Sequence, residues 1–169
     1  MQKITTFLWF DRNSEEAMNY YVDVFNGAPG SNKNSKITNI KRYPEGSLEE
    51  PMKGMEGQVL TGVFELDGQK FMVLDGGPIF KFTEAVSLLV DCKDQAEIDY
   101  FWEKLSAVPE SEQCGWCKDK FGLSWQIVPE TETEKFFSEE DPQKSKRVMD
   151  VFLQMKKIVI ADLEKASED

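Results

Sequence analysis

Hydrophobic positions along the chain follow two periods in alternation, and the alternation occurs twice. Residues 4–10 (ITTFLWF) are rich in the β-branched and aromatic types that suit a pleated, largely buried surface, and they predict a strand. The next segment, DRNSEEAMNYYVDVFNGAP (11–29), changes period: Ala17, Met18, Tyr21, Val22 and Phe25 recur at helical spacing. Asn13 stands where an N-cap belongs, Glu16 follows three residues on as in a capping box, and Asn26-Gly27 ends the run. The same order returns at an offset of 80 residues, where AVSLLV (85–90) predicts a strand and DCKDQAEIDYFWEKLSAVP (91–109) aligns with the first helical segment without a gap. Ile98, Phe101, Trp102 and Leu105 form its stripe after Asp94. Both stripes are core faces.

Each helix is followed by further strands. Residues 36–43 (KITNIKRY) alternate as a half-buried strand, and residues 58–66 and 69–75 pair across Asp67-Gly68, a strong hairpin signal. The first module is therefore βαβββ. In the second, residues 113–118 and 123–128 flank a turn at 119–122, so that KFMVLD and SWQIVP occupy equivalent last strands, with Gly68 matching Gly122 and Met72 matching Gln126. Residues 44–57 read as a mobile loop and DGGP (75–78) as a connector. The pattern divides the chain into a first module (1–80), a shortened second module (81–130), and an acidic connector leading into a C-terminal helix (131–169). Pro142 suits the first turn of that helix, whose stripe Val148, Met149, Phe152, Met155 carries on to Ile158, Ile160 and Leu163. The fold class is α+β.

Composition narrows the functions. The net charge is -11, from 31 acidic and 20 basic residues, which disfavours nucleic acid and anionic membranes as partners. The apolar run 7–10 is too short for a signal peptide or a spanning helix, and three cysteines in 169 residues fit a reducing compartment, so a cytoplasmic location is expected. There is no histidine, which removes every imidazole-based relay or metal ligand. The Cys-x-x-Cys pair at 114–117 remains. On a strand running from 113 to 118, Cys114 and Cys117 would face opposite ways, and the pair precedes a charged turn where a redox motif would open a helix. We therefore expect two structural thiols.

The two βαβββ-like repeats resemble the vicinal-oxygen-chelate superfamily, the glyoxalase, dioxygenase and bleomycin-resistance group. FLWFDRNSEEAMNYYVDVF, KFMVLDGGP, SLLVDC, CGWCKDKFGLSWQIVP and RVMDVFLQMKKIVIADLEKA look like its PhnB-like branch, often labelled a 3-demethylubiquinone 3-methyltransferase domain. The resemblance implies a glyoxalase-like fold with a cleft between modules. The superfamily's metal-ligand positions fall near Thr6 or Phe7, at Met72, near Val86 or Ser87, and at Gln126. None is a histidine or a carboxylate, so no metal and no other cofactor is expected. The methyltransferase label lacks its sequence counterpart, because no glycine-rich strand-to-helix turn follows any predicted strand.

These readings lead to a metal-free module binding a small, partly apolar or aromatic molecule between the modules, with Trp9, Phe71, Met72, Ser87, Trp125 and Gln126 as candidate site residues. Whether a reaction is catalysed stays open. An enzyme of the lyase or oxygenase type would have to draw on residues such as Asp75, Asp91 and Asp119, which also suit turns and caps. A dimeric protein-interaction scaffold is the third reading. A homodimer is expected, since the superfamily closes its paired modules within a chain or across two chains.

Overall fold

The computed structural model describes residues 3–137 and 141–168, in two compact units, 1–82 and 83–169. In the first unit, β1 (Thr6–Phe10) leads into α1 (Ser14–Gly27), followed by β2 (Lys36–Arg42), β3 (Val59–Leu66) and β4 (Gln69–Asp75). The sheet order is β1-β4-β3-β2, with β1 parallel to β4 and the other pairs antiparallel. Alternation puts Leu8, Phe10, Phe64, Phe71 and Val73 on the buried side of the sheet, and Met18, Tyr21 and Val24 of α1 complete the core. Tyr21 stacks on Phe64, and Phe64 on Phe71 with ring centroids 5.2 Å apart. The Asp67-Gly68 hairpin forms as the sequence predicts, both residues at positive φ.

The second unit repeats this plan with one strand fewer. Its elements are β5 (Leu88–Asp91), α2 (Gln95–Leu105), β6 (Trp116–Lys118) and β7 (Ser124–Val128), in a sheet of order β5-β7-β6 with β5 parallel to β7. Val90, Cys117, Trp125 and Ile127 are buried, as are Ile98, Phe101 and Leu105 of α2. Asp94 caps α2 through its side chain, accepting from the Glu97 N–H at 3.0 Å.

Four local expectations are corrected. The capping box at the start of α1 is absent: Asn13 makes no side-chain capping bond, and the Ser14 N–H donates to Asp75 Oδ1, 3.0 Å away. A buried carboxylate from β4 thus does the work expected of a local residue. The acidic connector is a helix through most of its length, α3 (Glu130–Phe137), which buries Phe136. Beyond it the single C-terminal helix is two, α4 (Pro142–Phe152) and α5 (Ile160–Glu168). Pro142 does stand in the first turn of α4, with Asp141 accepting from the Gln143 N–H. Residues 44–57 carry no helix or strand, but they fold into hydrogen-bonded turns around a buried Met55.

The fourth correction concerns the cysteine pair. Strand β6 starts at Trp116, and Cys114 and Gly115 form a two-residue turn, both at positive φ, between Gln113 and Trp116, which exchange both backbone hydrogen bonds. This turn receives the end of α4. Cys114 N–H donates to Met155 O at 2.8 Å, Gly115 N–H to Lys156 O at 2.7 Å, Gln113 Nε2 to Leu153 O at 2.8 Å and Cys114 Sγ to Phe152 O at 3.4 Å. The carbonyls at and beyond the end of α4 need such partners, and their capture by the turn is why the helix stops. A Cβ at position 115 would lie 2.8 Å from Val128 Cγ1 and 3.0 Å from Ile127 O, so this position requires glycine on steric as well as conformational grounds.

Candidate functional site

In the second unit, Gln126 and its cross-strand neighbours face away from α2. The register sets Leu89 beside Gln126 on one side and Trp116 on the other, and alternation adds Val128. These four residues form one wall of a cavity of about 820 Å³. The rest of the lining comes from the C-terminal part of the unit: Glu130, Thr131, Thr133, Glu134 and Lys135 of α3 and Phe152 at the end of α4. Cys114 lies at the join. The wall is mostly apolar, and Leu89, 45% exposed, leaves an aliphatic surface open to it. The amide of Gln126 is not orphaned, since its Nε2 donates to Ser87 Oγ at 2.8 Å.

The six candidate residues occupy distinct environments. Ser87 and Gln126 are together, as hydrogen-bond partners in the second unit. Trp125 is 2% exposed, on the α2 side of the same strand, and its Nε1 donates to Asp119 Oδ2 at 2.8 Å. Phe71 lies in the core of the first unit, stacked on Phe64, on the α1 side of its sheet. Met72 and Trp9 face the other side of that sheet, and both are half-buried. Trp9 is held in place: its Nε1 donates to Gly77 O at 2.9 Å, Phe80 meets its ring edge-on, and a Cβ on Gly76 would lie 2.1 Å from its ring. The sequence reading missed Leu89 and Trp116, which the cross-strand register sets as direct neighbours of Gln126. The threonines of α3 were missed because the connector carried no visible helical period, and Phe152 was read only as part of a helix stripe.

The three strand-end carboxylates considered for acid/base work, Asp75, Asp91 and Asp119, serve the backbone. Asp75 accepts from Ser14 N–H and, through Oδ2, from Val59 N–H at 3.1 Å. Asp91 accepts from Glu130 N–H at 2.8 Å. Asp119 accepts from Phe121 and Leu123 N–H through Oδ1 and from Trp125 through Oδ2, and it is buried. The thiols are equally committed. Burial pushes the Cys117 thiol up to about 12, helped by Asp119 and Glu112, and it pushes Cys92 to about 12 as well, helped by Glu97, Asp91 and Asp94. All three cysteines are free.

The metal implied by the superfamily does not fit these residues. At the four ligand positions only Thr6, Ser87 and Gln126 offer side-chain oxygen, none of it a carboxylate, and Ser87 and Gln126 are bonded to each other. Among the described residues no three cysteine, aspartate or glutamate side chains gather where they could hold a metal ion. Nor is any helix among them long and apolar enough to cross a membrane.

A family model described as 3-demethylubiquinone-9 3-methyltransferase matches residues 2–128, ending with β7 and leaving α3, α4 and α5 beyond it. Comparison with curated proteins gave no match. Among solved structures, a PhnB protein from Bacillus cereus, provisionally labelled a 3-demethylubiquinone-9 3-methyltransferase, is 40% identical, with a TM-score of 0.58 over 75% of this chain and 99% of its own. The protein PA1353 from Pseudomonas aeruginosa, 16% identical, has a similar fold, with a TM-score of 0.53 over 75% of this chain and 96% of its own. The repeated βα plan, the extent of the family match and the Bacillus neighbour agree, and the chain belongs to the PhnB-like branch of the glyoxalase superfamily, the family labelled 3-demethylubiquinone-9 3-methyltransferase.

Proposed function

We propose that the protein binds a small, partly apolar or aromatic molecule without a metal, in the cavity over the β5-β7-β6 sheet. One observation carries this reading: a cavity of about 820 Å³ is lined by an indole, two aliphatic side chains and a phenyl ring, together with the polar side chains of Gln126, Glu130, Thr131, Thr133, Glu134 and Lys135. Apolar area with a few orienting polar groups is the composition of a small-molecule site. The cavity also joins family sheet to added helices, since Leu89, Trp116 and Gln126 fall inside the matched region and Phe152 outside it.

The family label names a methyl transfer. The strand-to-helix turns Asp11-Arg12-Asn13 and Cys92-Lys93-Asp94 are polar and charged, and β7 passes into α3 through Pro129 alone, unlike the glycine-rich turn that cradles a dinucleotide-type cofactor. Asp75, Asp91 and Asp119 are all taken up by backbone groups, which favours binding over catalysis as the activity of this fold here.

The test is a titration with N-phenyl-1-naphthylamine, an uncharged aromatic dye whose fluorescence rises in apolar sites. Saturable binding should weaken about tenfold in Trp116→Ala, the equivalent of removing one well-packed aromatic wall. No saturable binding, or binding indifferent to Trp116→Ala and to Leu89→Ser, would overturn the reading. Elemental analysis of the purified protein checks the other half, with less than a tenth of an equivalent of any transition metal per chain as the expected result. A working homodimer in the cytoplasm belongs to the same proposal, supported by the exposed Phe7, Ile79 and Phe80 of the first unit.

A further inference from the structure

Beyond Gln126 the same face of the second sheet turns from apolar to polar. Alternation along β7 places Ser124 on the Gln126 side, and the antiparallel register sets Lys118 opposite Ser124, as Trp116 is opposite Gln126. Ser87 flanks the same strip. One two-residue step, about 7 Å, therefore separates the indole at the cavity wall from an ammonium group's strand position. Two features of this strip call for a partner. The hydroxyl of Ser124 is buried, with the residue 1% exposed, and has no hydrogen-bond partner. The side chain of Lys118 is only 23% exposed, yet the carboxylate it meets, that of Glu84, is 61% exposed and belongs to a segment outside any helix or strand.

We propose that Glu84 is a stand-in for the anionic head of the ligand: Lys118 anchors the carboxylate of an amphipathic molecule whose apolar body fills the cavity, while Glu84 swings out to solvent. Exchanging one carboxylate for another keeps the ammonium paired throughout, so the half-buried cation is never stripped of its counter-charge. The incoming head also gives the Ser124 hydroxyl an acceptor. Glu84 is held ionised by its bond to Lys118, its pKa lowered, so the exchange is one anion for another. A chain of net charge -11 repels anions at long range, and this cation supplies the local attraction that selects a carboxylate. The proposal rests on the ligand-binding reading above and adds the ligand's charge to it.

A matched pair of competitors tests it: 4-phenylbutyrate and 4-phenylbutanol displacing N-phenyl-1-naphthylamine from the full chain. The acid should displace the dye at about tenfold lower concentration than the alcohol. Lys118→Met should bring the two together, and Glu84→Gln should improve the acid severalfold while leaving the alcohol unchanged. Equal potency of acid and alcohol on the wild type, or an acid advantage that survives Lys118→Met, would overturn the proposal and leave the ligand-binding reading standing. A dye that does not bind overturns both. If Lys118→Met fails to fold by circular dichroism, Glu84→Gln decides, since an unimproved acid there excludes Glu84 as the competitor.

Discussion

Gln126 has one hydrogen bond to give up and an apolar cavity beside it. Gln126→Ala removes the bond to Ser87 and should lower stability by about 1 kcal/mol, while weakening dye or ligand binding by a larger factor than the fold loses. Thermal melting and fluorescence titration on the same variant separate the two effects. The thiols give a second residue-scale outcome. With Cys92 and Cys117 pushed to about 12 from an ordinary 9.0, both should resist iodoacetamide at pH 8 in the native protein and react once it is unfolded. Because the folded values are raised, the stabilisation from these neutral thiols is whole below pH 9 and is lost as the pH rises from there toward about 12, which a denaturation series across that window would follow. At this scale the sequence was read well where chemistry is local. Asp119 in a turn and Asp94 at a cap behave as their neighbours suggest. Asp75 was also legible as a turn or cap residue, but not as the cap of a helix 61 residues earlier in the chain, because that bond is set by the closing of the sheet.

Helices and turns carry the next lesson. Gly115→Ala should destabilise the second unit by roughly 1–3 kcal/mol, since the methyl group meets Val128 and the Ile127 carbonyl at a residue already at φ 83. The expected readout is a lower melting temperature, and it should come with loss of helical signal, because the displaced turn is the docking point for the end of α4. Elements with a clear period were found close to their true limits: α1, α2, β3 and β4 follow from stripes, alternation and the Asp67-Gly68 turn. The misread elements share a cause. Alternation was extended through Cys114, although a Cys-Gly pair can hold a two-residue turn, and the stripe from Val148 to Leu163 is continuous in sequence although the backbone between α4 and α5 is diverted by four hydrogen bonds from residues 113–115. Helix α3 was hidden because glutamate, threonine and lysine dominate it, and among its described side chains Phe136 is the buried one.

For the whole molecule, the two-module plan was legible because the strand-and-helix pattern returns at an offset of 80 residues, and the family resemblance was read beside it. The cavity was not, since half its wall belongs to helices that the repeat does not contain. Light scattering at micromolar concentration should give twice the chain mass, and a monomer at that concentration would remove the homodimer from the proposal. The dimer should persist in moderate salt if exposed apolar residues such as Phe7 and Phe80 form the contact, since screening weakens charge pairing and not apolar burial.

The turn at Cys114-Gly115 fixes the last turn of α4, and Phe152 in that turn is a piece of the cavity wall. Loosening the helix end therefore also shifts Phe152 in the cavity wall, so that a molecule resting on its ring and the docking of the helix end stabilise one another. An occupant would in turn slow the exchange of the Cys114 and Gly115 amide hydrogens with solvent, so that two protons on the backbone report, on a timescale of minutes to hours, what is held several residues away.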